Sequence, residues 1–164
     1  MTRQGWPAPD AATPLVGYRE WCLRGLEDPV PELHSLFHAT GWPSDGRPTA
    51  AACLRPATWL LWPRSDRRHA GVPDASCECG IHAYLRPDFA SFNGVREPKV
   101  RGVVLGWGRY VLGTVGWRAE FASVAALLAD DAYAPALDLL AVSQGIPLVT
   151  DLRDVRLAMI EHAA

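Results

Sequence analysis

Residues 100–121 read VRGVVLGWGRYVLGTVGWRAEF, and this stretch predicts the β-hairpin around which the rest of the chain is arranged. Val100 to Leu112 is the strongest strand candidate, because its β-branched side chains pack well on a pleated surface. Gly113-Thr114 can turn the chain back, so that Val115 to Phe121 pairs with it as the second strand. The glycines at 102, 106 and 108 indicate a close approach of neighbouring backbone or a β-bulge.

The hairpin also carries a candidate functional surface. Side chains alternate between the two faces of a strand, so Arg118 and Glu120 share one face, with Arg109 across the hairpin. These three side chains can line a polar groove, although such a set is more often a solvated cross-strand ion pair. Trp107 and Trp117 can act as platforms for a ligand, although such residues are more often core anchors. The candidate ligand or partner surface therefore consists of Trp107, Arg109, Trp117, Arg118 and Glu120.

Three shorter strands are predicted upstream of the hairpin, at residues 16–26, 49–54 and 79–85. In the first of them, Cys22 is interpreted as a small buried apolar residue, as free cysteines commonly are. After that strand, residues 31–37 are compatible with one short helical turn.

The C-terminal part of the chain predicts helices. Ser123 can cap a first helix, and a second helix begins at Pro135 and ends at Gly145. Asp151 or Asp154 can cap a last amphipathic turn or two. We therefore expect an α+β domain, in which two or three C-terminal helices pack on one face of a mainly antiparallel sheet.

Length and charge narrow the class of protein. The 164 residues suffice for one domain with a real hydrophobic core, which we assign to residues 15–164, and residues 1–14 form a flexible N-terminal segment. A formal net charge of −2 argues against nucleic-acid binding, which needs a dense cationic surface. No signal peptide is recognisable, and no apolar run approaches the roughly 20 residues that cross a bilayer. A cytoplasmic protein with reduced cysteines and no membrane partner is therefore expected.

The strongest chemical signal is a cluster of metal-binding residue types. Residues 53–82 read CLRPATWLLWPRSDRRHAGVPDASCECGIH and hold three of the four cysteines and two of the five histidines. Zn²⁺ prefers four nitrogen or sulfur ligands in a tetrahedron, with thiolates favoured in closed structural sites. Cys77 and Cys79 supply two sulfurs one residue apart. Cys53, at the end of a predicted strand, and His69 would complete a Cys₃His set.

Alternatives remain for the fourth ligand and for the metal. His82 lies three residues after Cys79, but extended geometry would point its side chain away from that cysteine, which favours His69. Gly80 gives the backbone the freedom to turn both neighbouring sulfurs inward. Four protein ligands leave no open position for water, so a structural zinc is favoured over a catalytic one. A Cys₃His iron–sulfur cluster is a further chemical alternative.

The order of these segments resembles that of a family of short actinobacterial proteins. In that family an A-x-C element, an H-x-A-P-like stretch, C-x-C-G-I with an aromatic residue and alanine, an LWGR strand and a GYRAEYA strand follow one another. The resemblance covers about residues 16–150. The matching segments in this chain include AAC at 51–53, CECGIHAYL at 77–85, GVVLGWGR at 102–109 and GWRAEFA at 116–122, of which the CxCGI and WGR…GWRAEFA segments are the specific parts.

This resemblance implies a ligand set but no reaction. It implies that Cys53, His69, Cys77 and Cys79 bind the metal, and that His82 occupies a place usually taken by an aromatic residue. The chain departs from the pattern in HAGVPD, where the family has a tighter stretch, and in the inserted ATWLLWPRSDRR. The family has no established activity to carry over.

The sequence offers little support for an enzyme. It has no Gly-rich phosphate loop at a strand-to-helix turn, no G-x-S-x-G elbow and no HExxH helix. Cys77-Glu78-Cys79 resembles only the first half of a deaminase signature, because the downstream CxxC is missing. We expect a non-catalytic, zinc-stabilised interaction or regulatory module whose partner is another protein. The alternative is a small-molecule-binding protein or enzyme that uses the Trp/Arg-lined face of the 100–122 hairpin, which a large cavity there would favour.

Overall fold

The computed structural model describes residues 14–37, 40–43, 45–53 and 71–155. In this part of the chain seven strands form one sheet, and a 3₁₀ turn and an α-helix lie between the sixth and seventh strands. The elements are β1 (Leu15–Arg24), β2 (Glu32–Ser35), β3 (Thr49–Ala50), β4 (Ile81–Tyr84), β5 (Lys99–Leu112), β6 (Gly116–Leu128), a 3₁₀ turn (Asp131–Tyr133), α1 (Ala134–Gln144) and β7 (Leu148–Val149). Residues 1–13 of the proposed flexible segment, the whole ATWLLWPRSDRR insertion within 54–70, and residues 156–164 lie outside the described residues.

The sheet is built around β1, β5 and β6. β5 pairs antiparallel with β1 along residues 99–106 and with β6 along nearly its whole length. β4 pairs antiparallel with β6 and also meets β1, where Tyr18 lies opposite Tyr84, so these four strands close into a ring. β2 and β3 add antiparallel pairs, while β7 runs parallel to β6. The expected α+β domain with a mainly antiparallel sheet is confirmed.

The central hairpin is confirmed, and its glycines have the two uses that were predicted. The Gly113 amide donates to the Gly116 carbonyl at 2.8 Å and closes the turn. Gly108 has a φ of +77°, and the register of β5 against β6 shifts between Trp107 and Tyr110, which is a β-bulge. At Gly106 a Cβ atom would lie only 2.5 Å from the ring of Trp117, so a side chain there would displace the indole.

Two of the predicted helical segments are strands instead. β6 continues past Ser123 to Leu128, because Val124 pairs with Val104 and Ala126 with Val103. The helix propensity of Ala and Leu is a weak preference, and pairing with a long buried neighbour overrides it. Residues 32–35 likewise form β2 rather than a helical turn, since Leu33 is buried and this segment pairs with the end of β1.

The second predicted helix and the last cap are confirmed. α1 carries Pro135 in its first turn and ends at Gly145, which has a φ of +66°. Asp151 Oδ1 accepts a hydrogen bond from the Arg153 amide at 2.9 Å, at the start of a helical segment at 152–155. Within the described residues no helix is both long and apolar enough to cross a bilayer.

Buried side chains from the two faces of the sheet form two clusters. The larger one contains Trp21, Val104 and Trp117 and is joined by Leu137 and Leu140 of α1. The smaller one includes Tyr18, Val103, Ala126 and Leu152. Cys22 is buried and free, as predicted. The chain thus buries a substantial core apart from its cysteine-rich loop.

Candidate metal centre

β6 is the template that brings the cysteine-bearing segments together. β3 ends opposite Phe121 of β6, and the following amide of Ala51 donates to the Glu120 carbonyl at 2.7 Å. β4 begins at Ile81, which lies opposite Ala119. The chain leaving β3 and the chain entering β4 therefore meet beside the same short stretch of β6. The cysteine that follows β3 and the two that precede β4 become neighbours for this reason.

The three sulfur atoms form one compact group. The Sγ atoms of Cys53, Cys77 and Cys79 all lie within 4.8 Å of one another, and those of Cys53 and Cys77 are 3.8 Å apart. Zn–S bonds of about 2.3 Å in a tetrahedron place two sulfurs roughly 3.8 Å apart, so the observed spacing fits a bound metal. None of the three forms a disulfide within the described residues; Cys77 is buried and the other two are half-buried. This group could hold a metal ion.

The backbone before and after the two adjacent cysteines is held in a defined shape. Asp74 Oδ1 accepts hydrogen bonds from the amide and the hydroxyl of Ser76 at 2.8 and 2.7 Å. The Cys77 amide donates to the Asp74 carbonyl at 3.1 Å, which completes a turn stabilised by an aspartate side chain. Gly80 has a φ of +119°, and a Cβ there would lie 2.9 Å from that of Pro73. The predicted need for glycine at position 80 is confirmed.

Arg118 supports this turn from the neighbouring strand. Its Nη1 donates to the backbone carbonyl of Cys77 and to that of Cys79, the latter at 3.0 Å. Hydrogen bonds to the groups that surround metal ligands orient those ligands and tune their affinity. The sequence pattern predicts Arg118 in a polar groove with Glu120 and does not predict its hydrogen bonds to the two cysteine carbonyls. A backbone carbonyl acceptor leaves no mark in the side-chain pattern, so no sequence signal could have revealed it.

The sulfurs lie in an environment that disfavours three uncompensated negative charges. Burial raises the pKa of the Cys79 thiol, and the adjacent sulfurs of Cys77 and Cys53 raise it further. A hydrogen bond from the backbone amide of Asp74 acts in the opposite direction. A divalent cation among the three sulfurs would relieve their mutual repulsion, so the donor set fits a thiolate-binding metal.

Of the two candidate imidazole ligands, only His82 lies among the described residues. His82 lies on β4 with an exposed side chain, its Nε2 is 2.7 Å from the Glu78 carbonyl, and it is not part of the sulfur group. Desolvation lowers the pKa of His82, against the opposing effect of the Glu78 carbonyl. Because a carbonyl oxygen can only accept, Nε2 carries the hydrogen of this bond. His69 lies outside the described residues. The choice of histidine as fourth ligand stays a prediction.

The candidate surface on the hairpin is mostly filled by its own side chains. Trp117 is only 2% exposed and donates its indole N–H to the Val16 carbonyl at 3.1 Å, and Trp107 is also buried. The Glu120 carboxylate accepts from the Arg109 backbone amide at 3.0 Å. Two cavities of the described part, one beside Trp42 and Ile146 and one beside Glu20 and Lys99, are lined by other residues.

Comparison with protein-family models, with curated proteins and with solved structures finds no match to this chain. The metal centre is therefore argued from its own residues and geometry. The resemblance to the short actinobacterial family stays an expectation.

Proposed function

We propose that this domain is a zinc-stabilised interaction or regulatory module without catalytic activity. In this proposal Zn²⁺ is bound by Cys53, His69, Cys77 and Cys79 and fixes the loop between β3 and β4 to the edge of the sheet. The observation that supports it is the group of three sulfurs within 4.8 Å, assembled from two segments separated by 24 residues. Thiolate ligands select zinc or iron–sulfur clusters over the hard cations Mg²⁺ and Ca²⁺.

The structural role of the zinc follows from the number of protein ligands. A catalytic zinc keeps one position for water or substrate, whereas three thiolates and an imidazole fill the tetrahedron. The surrounding contacts also make the site rigid, because Arg118 and the turn at Asp74 hold the backbone around the ligands in place. Such an arrangement stabilises the fold and leaves recognition to the surface.

Exposed apolar residues at the tip of the hairpin support a protein partner. Tyr110, Leu112 and Val115 are 53%, 60% and 72% exposed, and Leu85 lies beside them through a backbone hydrogen bond to Val115. Apolar groups exposed together commonly mark contact surfaces. Residues 109–112 of β5 pair only with β6 in the described part of the chain, so their other edge can accept a strand.

Metal analysis combined with X-ray absorption tests the proposal directly. Protein purified without added metal should contain one zinc and no iron per chain. Its zinc edge should report three sulfur ligands at about 2.3 Å and one nitrogen at about 2.0–2.1 Å. A coordinated water in the fourth position would indicate a catalytic zinc instead of a structural one. Protein purified without any bound metal would contradict the proposal.

The histidine ligand is tested by a matched pair of variants. His69→Ala should lower the zinc affinity by at least tenfold and replace the nitrogen ligand by a solvent oxygen. His82→Ala should leave zinc content and coordination unchanged, because the His82 ring is hydrogen-bonded to the Glu78 carbonyl. Chelator competition and zinc-edge spectra measure both effects. The opposite pattern would make His82 the ligand.

Arg118→Ala should weaken zinc binding without removing a ligand. The variant loses the hydrogen bonds to the carbonyls of Cys77 and Cys79, which orient the two thiolates. Loss of such supporting contacts typically costs about 10–100-fold in metal affinity. Arg86→Ala is the control, because Arg86 is exposed and contacts only Asp88, at 3.4 Å, among the described residues. Equal zinc affinities of the two variants in chelator competition would contradict a role of Arg118 in the site.

A further inference from the structure

A second candidate site lies on the sheet, away from the cysteine group. A cavity of about 520 Å³ opens where β1 and β5 run side by side, with Glu20 opposite Arg101 in the register. The connection at 91–98 forms one wall, and the chain from Leu128 to Tyr133 forms the other. This volume falls within the range of about 300–1,000 Å³ that is typical of small-molecule sites.

The floor of the cavity is an ordered polar network. Glu20 is 5% exposed and accepts hydrogen bonds from the Ser91 hydroxyl at 2.7 Å and the Phe92 amide at 3.3 Å. Arg101 Nε lies 3.4 Å from the same carboxylate, and its guanidinium stacks over the ring of Phe89 at 4.8 Å. The buried negative charge is thus satisfied within the protein, and the network fixes the loop that forms the wall.

Two cations that line this cavity form no ion pair with the described residues. The ammonium of Lys99, the only lysine of the chain, donates to the Ser91 hydroxyl at 3.0 Å and the Phe92 carbonyl at 2.7 Å, both uncharged oxygens. An ammonium has three donors, so one remains for a ligand. Neither Lys99 nor Arg96 forms an ion pair within the described residues, whereas the neighbouring Glu97 is already paired with Arg24 at 2.7 Å.

The remaining lining residues define the charge and shape of a ligand. Asp130 also borders the cavity, where its carboxylate accepts a hydrogen bond from the Ala132 amide at 2.9 Å. Among the described residues Glu20 is paired with Arg101 and Glu97 with Arg24, so Lys99 and Arg96 remain against Asp130. This formal balance of one positive charge suits a monoanion better than a phosphate dianion. Pro98, Leu128 and Tyr133 add apolar surface beside the cations.

We propose that this cavity binds a small organic monocarboxylate with an apolar body. Its carboxylate lies between Lys99 and Arg96, and its apolar part packs against Leu128 and Tyr133. Charge-assisted hydrogen bonds to a carboxylate supply the orientation, and burial of the apolar part supplies much of the affinity. The site shares no residue with the cysteine group, so the result of its test does not depend on whether the cysteines bind zinc.

Benzoate, benzamide and phenyl phosphate are the probes for this site. Benzoate titrated into the ¹⁵N-labelled full chain, as purified, should shift amide signals at 91–101 and 128–133 in a saturable way. Benzamide, of similar shape but uncharged, should bind at least tenfold more weakly, and phenyl phosphate should also bind more weakly than benzoate. Absence of saturable shifts, or equal binding of benzamide, would overturn the proposal. Tighter binding of phenyl phosphate would overturn the choice of a carboxylate.

Variants separate the site from non-specific binding. Arg96→Gln and Lys99→Gln should each weaken benzoate binding by about tenfold, the effect of one charge-assisted contact. Arg96 has no ion pair within the described residues to lose, so that variant keeps the fold even if Lys99→Gln loosens the 91–98 loop. Arg86→Gln removes an exposed charge outside the cavity and should leave the affinity unchanged. An affinity in Arg96→Gln equal to that of Arg86→Gln would rule out this site.

Discussion

If the sulfur group binds zinc as proposed, Cys77→Ser is expected to release it and to lower the free energy of unfolding by about 3–4 kcal/mol, the contribution of a ligand present at some hundreds of times its Kd. Cys77 is the buried member of the sulfur group, and its Sγ lies 3.8 Å from that of Cys53. A metal that binds only the folded chain contributes its binding free energy to folding, so losing one thiolate removes both the ion and the connection between β3 and β4. The chain has a core of its own, which should keep the variant folded at low temperature.

Cys22→Ala is the matched control for this experiment. Cys22 is buried on β1, burial raises the pKa of its thiol, and its Sγ lies 3.5 Å from the Glu97 carboxylate, outside the sulfur group. This variant should keep one zinc per chain and lose only about 1 kcal/mol of packing. Urea unfolding and metal analysis measure both variants. A chelator should lower the urea midpoint of the wild type to that of Cys77→Ser. A Cys77→Ser variant that bound zinc and unfolded at the wild-type midpoint would disprove the metal centre.

The cysteine group could be anticipated from the sequence, but the contacts that shape it could not. The spacing of Cys77 and Cys79 and the following Gly80 pointed to a turn with two sulfurs inward, and the structure places Cys53 beside them. That proximity depends on β3 and β4 pairing with the same part of β6, which is a non-local property of the register. The contribution of Arg118 depends on backbone carbonyls, which every residue carries.

The fold shows the same division between local and non-local information. The hairpin turn at 113–116, α1 and its terminal Gly145 depend on short-range signals, and the structure confirms them. The extension of β6 through an Ala/Leu-rich segment depends instead on β5 offering a paired edge out to Gly102. The ring closure between Tyr18 and Tyr84 likewise joins residues far apart in the chain. Alternation and capping rules carry no information about such partners.

Trp117→Ala is expected to lower the free energy of unfolding by about 3–5 kcal/mol, as is usual when a buried aromatic side chain is truncated. The indole lies across two neighbouring strands, because a Cβ at Gly17 would be 2.7 Å from its Nε1 and a Cβ at Gly106 would be 2.5 Å from its ring. The ring occupies the space that both glycines leave, so truncation creates a cavity at the junction of β1, β5 and β6. It also leaves the Val16 carbonyl without its 3.1 Å hydrogen bond.

Tyr110→Ala on the same hairpin should cost no more than about 0.5 kcal/mol, since its ring is more than half exposed. Urea unfolding of the two variants distinguishes the stability lost in the core from that lost at the surface. Metal analysis shows whether truncation of the core side chain also affects zinc binding. Trp117→Ala should still bind one zinc when folded, because the indole packs against Gly17 and Gly106 and bonds to the Val16 carbonyl, none of which is a proposed ligand. If Trp117→Ala lost its zinc at full stability, the ring would belong to the metal centre. If both aromatic variants were equally mild, Trp117 would not be the core anchor that its burial indicates.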